Sequence, residues 1–264
     1  MVATWHFLGG GGIISVMTIF LMMLVIIIGS ALSLAGGIAL LRFKKRRQAA
    51  LLLTMPFGAG ALLAAAFFDL LPESLDLAEP RSMLLYCLGG FMFFFILERC
   101  ATWFHHHHEH EHNSQNAQQR RLIMLGDMTH NAIDGIAIGA AFLVSIPTGI
   151  ITTLAVSAHE IPKELGTFAL LLTKGWKDKT VILANLATAL ATILAALLVY
   201  TLAKDLHEFV APLLAMTSGF FIYVAASDII PDIHEQPQKI GTIQALMLVG
   251  GVVIVGWVIT LLGV

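Results

Sequence analysis

Two short polar strings interrupt long apolar stretches of this chain: His130-Asn131-Ala132-Ile133-Asp134-Gly135 and His159-Glu160-Ile161-Pro162-Lys163-Glu164. On a helix, His130 and Asp134 are four residues apart and share a face, with Asn131 beside them. His159 and Lys163 make a second such pair, Glu160 and Glu164 a third. Imidazole combined with carboxylate suits zinc and its divalent first-row neighbours, whereas calcium and magnesium prefer oxygen alone. Ionisable groups deep in a membrane helix cost roughly 3 kcal/mol or more each unless paired or metal-bound, so their default reading is an ion or substrate site. The candidate metal ligands are therefore His130, Asn131, Asp134, His159, Glu160 and Glu164. Pro162 adds to this reading: it cannot donate to the Ala158 carbonyl, which is freed to ligate an ion or accept from water. The alternative is a set of polar residues that bond across helices and hold a bundle together.

Such strings need helices long enough to carry them through a bilayer. The composition, 58% hydrophobic and only 12% charged, lies outside the range of soluble domains. An all-α polytopic membrane protein is expected, one transmembrane domain over 1–264. At about 20 residues per span, eight helices fall near 12–41, 50–75, 82–103, 122–145, 148–173, 179–203, 208–231 and 239–263. The first apolar run continues to Leu41 without a basic start, so it is expected to remain as a helix rather than be removed as a signal peptide. Cys87 and Cys100 share the third span, about 20 Å apart along a helix. They are too distant to pair and are expected as buried thiols.

Lys and Arg set the orientation. Arg42, Lys44, Lys45, Arg46, Arg47, Arg99, Arg120, Arg121, Lys174, Lys177, Lys179 and Lys239 lie on one side, with Arg81 and Lys204 on the other. That asymmetry places both termini outside the cytoplasm. The basic run Arg42 to Arg47 reads as a topology signal, and no nucleic-acid partner is expected. By helix rise, His130 lies about 12 Å from the cytoplasmic start of the fourth span, and Glu164 to His159 about 13–21 Å from the cytoplasmic end of the fifth. The two strings thus meet at similar depth on antiparallel neighbours.

A weak internal repeat points to transport. Phe68-Asp69-Leu70-Leu71-Pro72-Glu73 in the second span matches Ser227-Asp228-Ile229-Ile230-Pro231-Asp232 in the seventh, and Gly60 and Gly219 each precede the aspartate by nine residues. The two spans run oppositely. An inverted repeat, spans one to three against six to eight around a central pair, is the signature of alternating access.

Other residues are weaker candidates. Asp127, one turn before His130, is a possible exit-side ligand, and Asp69 and Asp228 could line a path or merely be wet at span ends. Asn185 could complete the site or bond another helix. His105, His106, His107, His108, His110 and His112 crowd a cytoplasmic loop at 104–121 and form a metal-collecting or sensing tract, or else a linker. His159-Glu160 followed by Lys163 superficially matches the H-E-x-x-H zinc-peptidase motif, which gives an intramembrane metallohydrolase as the alternative class. Here a lysine replaces the second histidine and a proline interrupts the helix.

The H-N-x-x-D-G string, the H-E-x-P-x-E string, the His-rich loop and the run from Gly219 to Pro231 together resemble the ZIP family of divalent-metal transporters, of prokaryotic type, over nearly the whole chain. The resemblance implies a carrier, not an enzyme, that moves metal into the cytoplasm. It also implies a two-metal centre on spans four and five, and an elevator-like motion of spans one, four, five and six against two, three, seven and eight. By position, His130, Asp134 and His159 would hold the primary metal, with Asn131, Asp134 and Glu160 facing a second site. Lys163 departs from the pattern. An ammonium has no lone pair for metal, so it is expected to act as a tethered surrogate cation at the second site, neutralising Asp134 or Glu160. The rival role is a neutral lysine that ligates or releases a proton. Zinc, iron, manganese or cadmium would be the transported substrate, with no cofactor. The lipid bilayer and a second copy of the chain, as a homodimer, are the other expected partners. The cell (plasma) membrane is the expected location.

Overall fold

The computed structural model describes residues 13–42, 44–106, 112–203 and 207–263. Every regular element among them is helical. The chain runs as eight rods: α1 (Ile13–Arg42), α2 (Lys44–Ala65, continuing through a π turn at Ala66–Leu70 into Leu71–Leu77), α3 (Pro80–His106), α4 (His112–Val144), α5 (Ile146–Thr173), α6 (Asp178–Ala203), α7 (Val210–Val224, through a π turn at Ala225–Ile229 into Ile230–Glu235) and α8 (Gln238–Leu262). A 3-10 turn, His207–Phe209, leads into α7. Number and order agree with the expected spans. The main difference lies at the 104–121 loop, which is shorter than expected because α3 runs on to His106 and α4 begins at His112.

Six rods contain stretches long and apolar enough to cross a membrane: Val16–Gly36, Leu51–Leu77, Pro80–Cys100, Asp178–Ala203, Val210–Glu235 and Gln238–Leu262. The remaining two, α4 and α5, are the helices that carry the polar strings. At 33 and 28 residues they have ample length, about 42 Å or more. They carry more polar and ionisable residues than those six stretches, and α5 packs against α1, α2 and α4.

Small residues bring the helices together. The interior is rich in alanine, while large apolar side chains such as Leu85, Leu183, Leu194, Leu246 and Trp257 point outward. This arrangement suits a protein whose solvent is lipid, where close backbone approach rather than hydrophobic expulsion drives helix association. The tightest packing joins α4 to α6, α2 to α8 and α3 to α7, followed by α2 to α5, α1 to α5 and α4 to α5. α1, α4, α5 and α6 pack mainly with one another, as do α2, α3, α7 and α8, and α2 against α5 is the largest contact between the two sets.

The internal repeat has a structural counterpart. Asp69 and Asp228 each occupy the fourth position of a π turn. In both, a proline three residues later lacks the N–H that the carbonyl four residues before it would accept, and the extra residue of a π turn accommodates the break. The matched glycines also play matched parts. A Cβ on Gly60 would overlap the Leu248 carbonyl of α8, and one on Gly219 the Cys87 carbonyl of α3.

The thiols correct an expectation. Cys87 is only half-buried and Cys100 is exposed. A membrane helix satisfies an apolar side chain equally well on its lipid face, so burial among other helices is not required there.

Candidate metal centre

A single residue joins the two helices that carry the site. α4 ends at Val144 and α5 begins at Ile146. Between them Ser145 adopts an extended conformation, and its hydroxyl oxygen accepts from the Thr148 N–H at 3.1 Å, capping α5. Because the turn is so short, His130, fifteen residues before Ser145, and His159, fourteen after it, arrive at the same depth, about 21 Å below the turn.

There the structure gathers four ligand atoms, one each from His130, Asp134, His159 and Glu160, all within 4.8 Å of one another. The two Nε2 atoms stand 3.2 Å apart. Asp134 Oδ2 lies 3.6 Å from His130 Nε2 and 3.7 Å from His159 Nε2, and Glu160 Oε1 lies 3.7 and 3.5 Å from the same two atoms. A tetrahedral ion with bonds of about 2.0–2.2 Å has ligand–ligand edges of about 3.3–3.6 Å, so these spacings fit zinc with little adjustment. Asp134 is fully buried, and neither of its carboxylate oxygens accepts a hydrogen bond among the described residues. A carboxylate left so in the interior is costly unless a cation joins it.

Lys163 supplies part of that cation. Its Nζ donates to Glu160 Oε1 at 2.7 Å and pairs with Asp127 Oδ1 at 3.0 Å. The pairing differs from the four-residue spacing of His159 with Lys163: the lysine turns to Glu160, three residues back, and across to α4. With their carboxylates ionised, Asp127, Asp134 and Glu160 bring three negative charges against one lysine. The two left over are what a divalent ion would balance.

The other candidates surround this cluster. Asn131 is buried beside it, its amide nitrogen donating to the Asp127 carbonyl at 3.0 Å while its oxygen accepts from Thr192 of α6 at 3.0 Å. Glu164 points elsewhere: Ser33 of α1 donates to its Oε2 at 2.5 Å, and the Asn185 amide of α6, oriented to donate, reaches its Oε1 at 2.9 Å. Asn185 thus bonds another helix. Glu160, Glu164, Asn131, Ser33, Ser157 and Thr192 line a polar cavity with room for a water molecule. Asp69 is buried rather than wet, with one carboxylate oxygen unpartnered among the described residues. The side chain of Asp228 and those of the His105 to His112 tract lie outside the described residues.

Sequence reasoning missed Ser33, Thr192, Phe94 and Phe220. Ser33 and Thr192 are ordinary small polar residues on apolar spans, and Phe94 and Phe220 are two of 16 phenylalanines. Nothing in their spacing separates them from packing residues. Phe94 and Phe220 place their rings against His130.

A sequence profile of the family described as ZIP Zinc transporter matches residues 16–122 and 120–258. Among characterised proteins, the chain is 44% identical over 145 residues to Zinc transporter ZIP4 of Mus musculus, covering 53% of this chain and 21% of that protein. It is 40% identical over 111 residues to Zinc transporter ZIP10 of Danio rerio, covering 42% of this chain and 13% of that protein. Zinc transporter ZIP13 of Pongo abelii is 31% identical over 216 residues, 76% of this chain and 64% of that protein. The chain therefore spans about a fifth of the ZIP4 length and somewhat under two thirds of the ZIP13 length.

Proposed function

This chain belongs to the ZIP zinc transporter family, and from that premise we propose that it carries a divalent metal ion, zinc first, across the membrane into the cytoplasm. The observation that carries this reading is the meeting of His130, Asp134, His159 and Glu160 at one point between α4 and α5. A mixed imidazole and carboxylate set of four suits zinc, and it accepts iron, manganese and cadmium with less discrimination than geometry alone provides. Metal is the cargo in this reading, not a cofactor.

Alternating access uses the division of the bundle. The cluster belongs wholly to α4 and α5, in the group with α1 and α6, and the seam with α2 is where one group slides on the other. Lys163 serves as the surrogate second cation: its ammonium, shared between Glu160 and Asp127, offsets one of the three negative charges and leaves two for one transported ion per turnover. Asp127, bound to Lys163 at rest, receives the metal on its way to the cytoplasm. The basic loops put both termini outside the cytoplasm of a plasma-membrane protein. A homodimer, and a metal-collecting role for the His105 to His112 tract, complete the reading.

The hydrolase alternative fails on Lys163. It stands where the peptidase motif needs its second histidine, and an ion-paired ammonium has no lone pair to give.

Uptake into proteoliposomes tests the proposal. Zinc should reach an indicator trapped inside vesicles that contain the wild-type protein and not inside those that contain His130→Ala. No signal above empty vesicles for zinc, iron, manganese or cadmium would reject transport.

A further inference from the structure

A layer of aromatic rings presses on the metal cluster from the other helix group. Phe94 of α3 meets the His130 imidazole edge to face, with ring centroids 5.7 Å apart and planes at 79°. Phe220 of α7 does the same at 5.6 Å and 71°. The two phenylalanines touch, 4.4 Å between centroids, and Tyr223 backs Phe94 at 5.5 Å. Both phenylalanines are buried. The Tyr223 hydroxyl donates to Glu98 Oε2 at 2.7 Å, which fixes its ring on α3. A Cβ on Gly90 or Gly219 would overlap the facing backbone, so α3 and α7 lie nearly in backbone contact. The rings are therefore mounted on a firmly packed pair of helices that contributes no atom to the four-ligand cluster.

Apolar rings at a metal site decide how many ligands the ion can keep. Zinc is satisfied by four protein atoms in a tetrahedron, whereas manganese and magnesium favour six oxygen-rich ligands and hold several waters. A water beside the cluster needs both space and two or more polar partners. Phe94 and Phe220 deny both on the flank of His130 that they cover. We infer that Phe94 and Phe220 are specificity-determining residues that limit how many waters the bound ion can keep on the His130 side and so favour zinc over ions that retain several waters. The inference rests on the metal-site reading above and adds to it the part played by the helices that supply no ligand.

Cobalt tests it, because tetrahedral cobalt absorbs visible light strongly and six-coordinate cobalt weakly. The full chain, purified in detergent, is titrated with cobalt as wild type, His130→Ala, Phe94→Leu, Phe94→Ala and Phe220→Ala. The expected result is an intense tetrahedral spectrum in wild type and Phe94→Leu. The two alanine variants should still bind cobalt but lose band intensity several-fold, and their zinc-over-manganese uptake ratio should fall several-fold in proteoliposomes. A weak six-coordinate spectrum in wild type overturns the inference, as do alanine variants that bind cobalt with an unchanged spectrum. If the alanine variants do not fold, Phe94→Val and Phe220→Val, which also open space beside His130, are read in their place. Failure of wild type to bind cobalt in a His130-dependent way would instead reject the metal site itself, and the inference with it.

Discussion

Lys163 Nζ lies 2.7 Å from Glu160 Oε1, the same oxygen that faces both imidazoles of the cluster. One carboxylate oxygen thus belongs at once to the lysine and to the metal position. Under the proposed metal-site reading, whatever strengthens one partnership weakens the other, which would make this contact a control point for how tightly an ion is held.

Removing the ammonium while keeping its aliphatic stem separates its two effects. Lys163→Met should destabilise the metal-free protein by roughly 3–5 kcal/mol, since it leaves Asp127 and Glu160 buried without their cation. Added zinc should restore more stability to this variant than to wild type. Lys163→Glu, which supplies a carboxylate in place of the ammonium, should raise bound zinc from one ion per chain towards two. Elemental analysis of purified protein counts the ions, and two tightly held ions in wild type would reject the surrogate role.

Asn131 and His130 neighbour each other in sequence but should behave differently. His130→Ala removes one of four ligands and should abolish high-affinity zinc binding. Asn131→Ala removes a group bonded to Thr192 and to the Asp127 carbonyl, and should weaken affinity by about 10–100-fold, as supporting residues around metal ligands do. Thr192→Val, which breaks only the α6 link, should fall nearer wild type. Isothermal titration with zinc would reveal the order, and equal losses for His130→Ala and Asn131→Ala would make the asparagine a direct ligand.

Glu164 is held by Ser33 and Asn185, so its removal should be felt in stability before binding. Glu164→Gln keeps the shape and one acceptor but loses the charge-assisted bond from Ser33, for a loss of about 1.5–3 kcal/mol. Zinc affinity in the folded variant should stay close to wild type. Thermal unfolding in detergent, run alongside zinc titration, checks both halves, and a loss of affinity without a loss of stability would return Glu164 to the ligand set.

Glycines at the helix crossings offer a test of the repeat. Gly60→Val and Gly219→Val should each destabilise the fold by about 1–3 kcal/mol or more, because the new side chain meets backbone that cannot yield. Gly89→Val and Gly250→Val face open space and should unfold near the wild-type temperature. If the four variants were indistinguishable, the close contacts of α2 with α8 and of α3 with α7 would not be what holds that half of the bundle.

The amino-acid sequence by itself determined the membrane class, the number and order of the helices, and the residue types that meet at the cluster. Hydrophobic runs of bilayer length and paired polar residues at helical spacing are local properties, legible without knowing what packs on what. It also carried the match between Asp69 and Asp228, because a proline three residues downstream marks a π turn in both halves. Partnership was decided only by the tertiary structure. A spacing of four residues pairs His159 with Lys163, but the fold turns the lysine to Glu160 and Asp127, since a cation in a low-dielectric interior goes to the carboxylates within reach. Glu164 shares the motif of the ligands yet is claimed by Ser33 and Asn185, and Phe94 and Phe220 acquire a place at the site although no pattern singles them out. Contacts between residues more than a hundred positions apart depend on which helices cross and at what rotation, and packing across the whole bundle sets both.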